Sequence, residues 1–82
     1  MTEPSLESIL EAALVAAGEP LSVDRLRGLF DDAVAPSPGA IEKALQRLAE
    51  QLQGRGVELR QVSSGYRLQV PEDYAYWVSR LW

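Results

Sequence analysis

One stretch constrains this chain more than any other. Between Val57 and Val70, VELRQVSSGYRLQV, the apolar residues recur every second position, whereas everywhere else they recur every third or fourth. Val57 and Leu59 alternate with Glu58 and Arg60, and Tyr66, Leu68 and Val70 alternate with Arg67 and Gln69. This is the pattern of a β-hairpin with one apolar and one polar face. With Ser64-Gly65 as the turn, the expected register sets Val62 opposite Arg67, Arg60 opposite Gln69 and Leu59 opposite Val70. A hairpin of two strands is marginal in isolation, so its apolar face needs a body to lie on.

The body is helical. Ser5 caps a first helix in which Leu6, Ile9, Leu10, Ala13, Leu14 and Ala17 form one face, and Gly18 ends it. Ala12, Val15 and Ala16 make its last two turns apolar nearly all round, which calls for a second burial partner: its own core or another subunit. Glu19-Pro20-Leu21 is an extended connector, with Leu21 placed to plug the core or to pair with a sheet edge. Ser22 caps a second helix with Leu26, Leu29 and Phe30 as its buried stripe, ending near Asp31-Asp32. After a loop over Ala33 to Ser37, Ser37-Pro38 opens a third helix. Its core face is Ile41, Ala44, Leu45, Leu48 and Leu52, and Gly54 is its stop. Past the hairpin, Pro71-Glu72-Asp73 restarts helical structure, with Tyr74, Trp77, Val78 and Leu81 at core spacing. That pattern is cut at Trp82, from which a longer parent protein is expected.

The expected order is therefore helix, short strand, helix, helix, hairpin, helix. This is a mainly helical α+β domain, a winged helix-turn-helix whose hairpin is the wing. The wing sets Leu59, Leu68 and Val70 on the body and Arg60, Arg67 and Gln69 toward water. A plain helical bundle would leave the alternation unexplained.

Composition narrows the chemistry. The 82 residues hold neither cysteine nor histidine. Disulfides, thiolate or imidazole metal sites, and Ser-His or Cys-His catalysis are thereby excluded, and no cofactor is expected. The neighbouring carboxylates Asp31-Asp32 and Glu72-Asp73 do not make an acid/base pair, because adjacent residues point apart and acids at helix ends serve as caps. An enzyme is not expected. No apolar run reaches the roughly 20 residues of a membrane span, and Met-Thr-Glu-Pro-Ser lacks the features of a signal peptide, so a soluble intracellular protein is expected. The net charge of −4 opposes a polyanion and points to a protein partner.

Ile9-Leu10-Glu11-Ala12-Ala13-Leu14-Val15-Ala16-Ala17-Gly18-Glu19-Pro20-Leu21-Ser22 resembles the opening of segregation and condensation protein B. Gly56-Val57-Glu58-Leu59-Arg60-Gln61-Val62, Gly65-Tyr66-Arg67-Leu68-Gln69 and Tyr74-Ala75-Tyr76-Trp77-Val78 resemble that family's wing and the helix after it. The resemblance implies a non-catalytic subunit of the bacterial condensin-like complex in chromosome segregation, partnered by a kleisin and an SMC ATPase, cytoplasmic and nucleoid-associated. It also implies that residues 1–82 are the first, self-associating winged-helix domain of a two-domain protein whose second domain takes a large share of kleisin binding. The candidate dimer or partner surface is Ala12, Val15, Ala16, Tyr76 and Trp82, with Tyr74, Trp77, Val78 and Leu81 assigned to the core. The competing reading is a DNA-binding regulator, whose candidate contacts are Lys43, Gln46 and Arg47 on the third helix and Arg60 and Arg67 on the wing. Against it, Glu42 and Glu50 share the solvent side of that helix, where pairing with Lys43 or Arg47 is the simpler role of those charges.

Overall fold

The computed structural model describes residues 3–82; Met1 and Thr2, where the segment read for a signal peptide begins, lie outside the described residues. The elements are α1 (Leu6–Ala17), α2 (Val23–Arg27), α3 (Pro38–Gln51), β1 (Glu58–Val62), β2 (Gly65–Gln69), and a last segment with α4 (Ala75–Val78) between 3-10 turns at Glu72–Tyr74 and Ser79–Leu81. This is the expected winged helix-turn-helix.

The caps follow from the local sequence. The hydroxyl oxygens of Ser5, Ser22 and Ser37 each accept the backbone N–H three residues on, from Ser8, Arg25 and Ala40, all at 3.1 Å. At the far end of α1, Gly18 takes the left-handed conformation (φ 65°), where a side chain would be strained. Helix α3 is the axis of the body. It packs against α1, α2 and β1, and its Ile41, Ala44, Leu45 and Leu48 are all buried, as is Leu52 just beyond it. Leu10 and Leu14 of α1, Leu21 of the connector and Leu26 of α2 complete the core, with Phe30, Val57, Leu59, Tyr66 and Leu68 packed around it. Both roles expected of Leu21 are realised: its side chain is in the core, and its backbone N–H and C=O exchange 2.8 Å hydrogen bonds with Tyr66, a single bridge on the edge of β2 away from β1.

Four details depart from the sequence reading. The hairpin register is Leu59 to Leu68, Arg60 to Arg67 and Val62 to Gly65, so the turn is Ser63-Ser64. The expected pairing is displaced by two residues, which leaves each side chain on its expected face because the side-chain period is also two. Gly65 does take a positive φ, 144°, but as the first residue of β2. A Cβ there would collide with the backbone of Leu21 and Ser22, so the close approach of the connector, and not the turn, is what requires glycine. Second, Val70 lies past the last pair and is exposed, off the body where it was expected. Third, α2 stops at Arg27, and Leu29 is half exposed in the turn that follows; Leu26 and Phe30 are what remain of the expected stripe.

The fourth concerns the chain's end. Tyr74 and Val78 are half-buried, but Trp77 and Leu81 are 64% and 74% exposed and do not belong to the core. A periodic apolar pattern produces burial only where a free body face exists to receive it. Here the inner face of the wing already covers the open side of α3. The radius of gyration, 13.9 Å, exceeds the roughly 12 Å of a compact chain this long, in keeping with a terminal segment that sinks no residue into the body.

Candidate functional site

Two surfaces hold the residues singled out in the sequence, and they differ in chemistry. The first runs along α3 and the wing. Lys43, Gln46 and Arg47 are exposed on α3, as Glu42 and Glu50 are. The Arg47 guanidinium is engaged: its Nε and Nη2 both lie 2.9 Å from Glu7 Oε2, binding α3 to α1. The partner expected along its own helix is supplied instead by a helix forty positions away in sequence. Among the described residues Lys43 makes no ion pair. On the outer face of the wing Arg60 stands directly opposite Arg67, a like-charge pair that costs stability. Arg67 donates from Nε to Gln69 Oε1 at 3.0 Å, and Gln69 donates from Nε2 to Glu58 Oε2 at 2.9 Å, so an acidic side chain borders the cationic pair. The DNA candidates are thus dispersed: Arg47 is locked in an interhelical bridge, Lys43 and the uncharged Gln46 share the exposed side of α3 with carboxylates, and Arg60 and Arg67 are on the wing.

The second surface is apolar. Ala12, Val15 and Ala16 of α1 are exposed, Val15 at 68%. The end of α1 and the edge of β2 enclose a cleft of about 330 Å³ lined by Leu14, Val15, Pro20 and Leu68, with Glu19 and Arg67 at its rim. At the chain's end Tyr76, Trp77, Leu81 and Trp82 are 66%, 64%, 74% and 90% exposed. The aromatic pair is held in place: the Tyr76 and Trp77 rings meet edge to face at 5.4 Å. Arg80 lies 5.5 Å over the Tyr76 ring and donates to its hydroxyl at 3.0 Å, while the Ser79 hydroxyl donates to the Tyr76 carbonyl at 2.9 Å. The Tyr74 hydroxyl reaches the Gly54 carbonyl at 3.4 Å, fastening the segment's start to the loop after α3.

Tyr76 and Trp82 are exposed as expected; Trp77 and Leu81 were missed as surface residues. No signal in the sequence separates them from core positions, since their spacing is that of a buried helix face; what turns them outward is that no face of the body is left to receive them. Among the described residues no cluster of three or more potential metal ligands occurs, and no helix is long and apolar enough to cross a membrane.

Comparison with known proteins agrees with this geometry. The family model described as segregation and condensation complex subunit ScpB matches residues 8–82. A segregation and condensation protein B homolog from Coxiella burnetii (strain RSA 493 / Nine Mile phase I) is 43% identical over 82 residues, which is 100% of this chain and 39% of the relative. The chain thus spans well under half the length of that curated relative. ScpB from Mycobacterium tuberculosis superposes with a TM-score of 0.80 at 28% identity, covering 98% of this chain and 51% of that one. A dimer of the ScpB N-terminal domain complexed with an ScpA peptide superposes with a TM-score of 0.81 at 22% identity, covering 93% of each chain.

Proposed function

We propose, for a chain that belongs to the ScpB family of segregation and condensation complex subunits, that it is the first of two winged-helix domains and acts without catalysis, by pairing with a second copy and binding a kleisin. The observation that carries this reading is the apolar surface displayed at Val15, Tyr76, Trp77, Leu81 and Trp82. Monomeric soluble domains rarely leave such an aromatic cluster open, and clusters of this composition are where interface energy concentrates. That a related N-terminal domain was crystallised as a dimer with an ScpA peptide supports both partners. The complex would then act with an SMC ATPase in chromosome condensation and segregation at cell division, in the cytoplasm at the nucleoid. The test is size-exclusion chromatography with light scattering of the chain alone and mixed with the ScpA protein from the same genome. A dimer alone and a larger co-eluting species in the mixture are expected; a monomer in both runs refutes the reading.

A further inference from the structure

We propose that the open edge of β1 takes up an extended segment of the kleisin as an added strand, with an apolar side chain of that segment over Leu45, Ala49 and Leu59 and a lysine or arginine facing Glu42. The inference rests on the kleisin binding proposed above and says where, and in what form, the partner is held.

The sheet has two edges, and the fold uses one of them. Tyr66 bonds Leu21 on the side of β2 away from β1. Its cross-strand partner Gln61 therefore turns its own N–H and C=O away from β2, and so does Leu59, two positions earlier, while the ladder bonds belong to Glu58, Arg60 and Val62. Among the described residues the outward N–H and C=O of Leu59 and Gln61 have no main-chain partner. Open edges of this kind are ordinarily blunted by a proline, a bulge or a charged side chain. Strand β1 holds no proline, its register runs without a bulge, and the two residues that bond outward are uncharged.

The groove between α3 and this edge, about 340 Å³ in volume, sets the chemistry of the chain that fits. Leu45, Ala49 and Leu59 are its apolar lining, and Glu42, Gln46 and Gln61 its polar lining. Ala49 and Leu59 also line the neighbouring recess with Leu52 and Val57, which puts the apolar end at Leu59 and the polar end at Gln61. A strand paired with β1 sends only alternate side chains into the groove, those opposite Leu59 and Gln61, and the rest toward water. The first meets Ala49 and Leu45, and the second comes within reach of Glu42. Glu42 is exposed and makes no ion pair among the described residues, so a cation there gains a partner and a carboxylate is repelled. A related N-terminal domain holds ScpA as a peptide, and a free strand edge takes up peptides through main-chain bonds and alternate side-chain pockets. A second copy of β1 matches poorly, because its own groove-facing Leu59 and Gln61 offer Glu42 no cation.

Titration calorimetry with the ScpA protein from the same genome tests the placement. Gln61→Pro deletes one outward N–H and no ladder bond, Gln61→Thr keeps that N–H, and Glu42→Lys reverses the charge at the polar end of the groove. Both positions are exposed, and far-UV circular dichroism checks that each variant is folded. Expected are binding by the parent, a loss of roughly tenfold or more for Gln61→Pro and for Glu42→Lys, and a change of less than about threefold for Gln61→Thr. Parent-like binding by Glu42→Lys overturns the placement, as does parent-like binding by a folded Gln61→Pro. A Gln61→Thr loss equal to that of the proline variant overturns strand addition, because it assigns the contact to the side chain. If sedimentation shows that Gln61→Pro dissociates a dimer of the chain, the edge belongs to a second copy and the kleisin placement fails. A parent that does not bind ScpA refutes the kleisin reading itself, and the placement with it.

Discussion

At Gly65 the backbone does what no other residue type would permit. Its φ of 144° and the closeness of Leu21 act together, so a methyl group there would collide with main-chain atoms that cannot step aside. Gly65→Ala is expected to destabilise the domain by roughly 3 kcal/mol in urea unfolding, through loss of the Leu21–Tyr66 rung. Gly56→Ala, with nothing within 4 Å of its added carbon and no positive φ, is expected to change stability by less than about 0.5 kcal/mol. Reading Ser64-Gly65 as the turn identified the residue that needs a positive φ and misplaced its reason. The alternation of Val57 to Val70 carries no information about a connector more than forty positions before Tyr66 passing over one strand, so the displacement of the register by two was not legible in it.

Among the elements, α3 and the last segment show how far an apolar pattern can be trusted. Both repeat at helical spacing, yet α3 buries its pattern and the last segment does not. The difference is geometric: α3 has α1, α2 and β1 around it, whereas the last segment follows a wing that already occupies the open side. Elements are also joined by charge. The Glu7 side chain is 15% exposed and Arg47 55%, so their bridge from α1 to α3 is partly screened. A double-mutant cycle with Glu7→Gln and Arg47→Met is expected to give a coupling of about 0.5 kcal/mol that falls by half or more between 0.05 and 0.5 M salt, measured by thermal unfolding.

For the molecule as a whole, the placement of charge weighs against its use as a DNA reader. A net charge of −4, exposed Glu42 and Glu50 on the solvent side with Lys43, an Arg47 held by Glu7 and an Arg67 bonded to Gln69 leave the described cations too scattered and too engaged to grip phosphate. Fluorescence anisotropy with duplex DNA is expected to give dissociation constants weaker than about 10⁻⁴ M at 0.15 M salt, the feeble end of non-specific binding, with a log–log salt slope no steeper than about −2. Micromolar binding with a steep slope would restore the regulator reading. The order of the elements, the serine caps of the first three helices, the buried positions of α1 and α3, and the face shown by each wing residue but Val70 were set by spacing and by serine, proline and glycine placed where helices start and stop. These are local properties, and period and cap chemistry are written along the chain. Which partner Arg47 takes, why Gly65 is glycine, and that Trp77 and Leu81 face outward were decided only when distant segments met. Each depends on which surface is already occupied when a residue arrives, and occupancy belongs to the assembled body and not to any one stretch of its sequence.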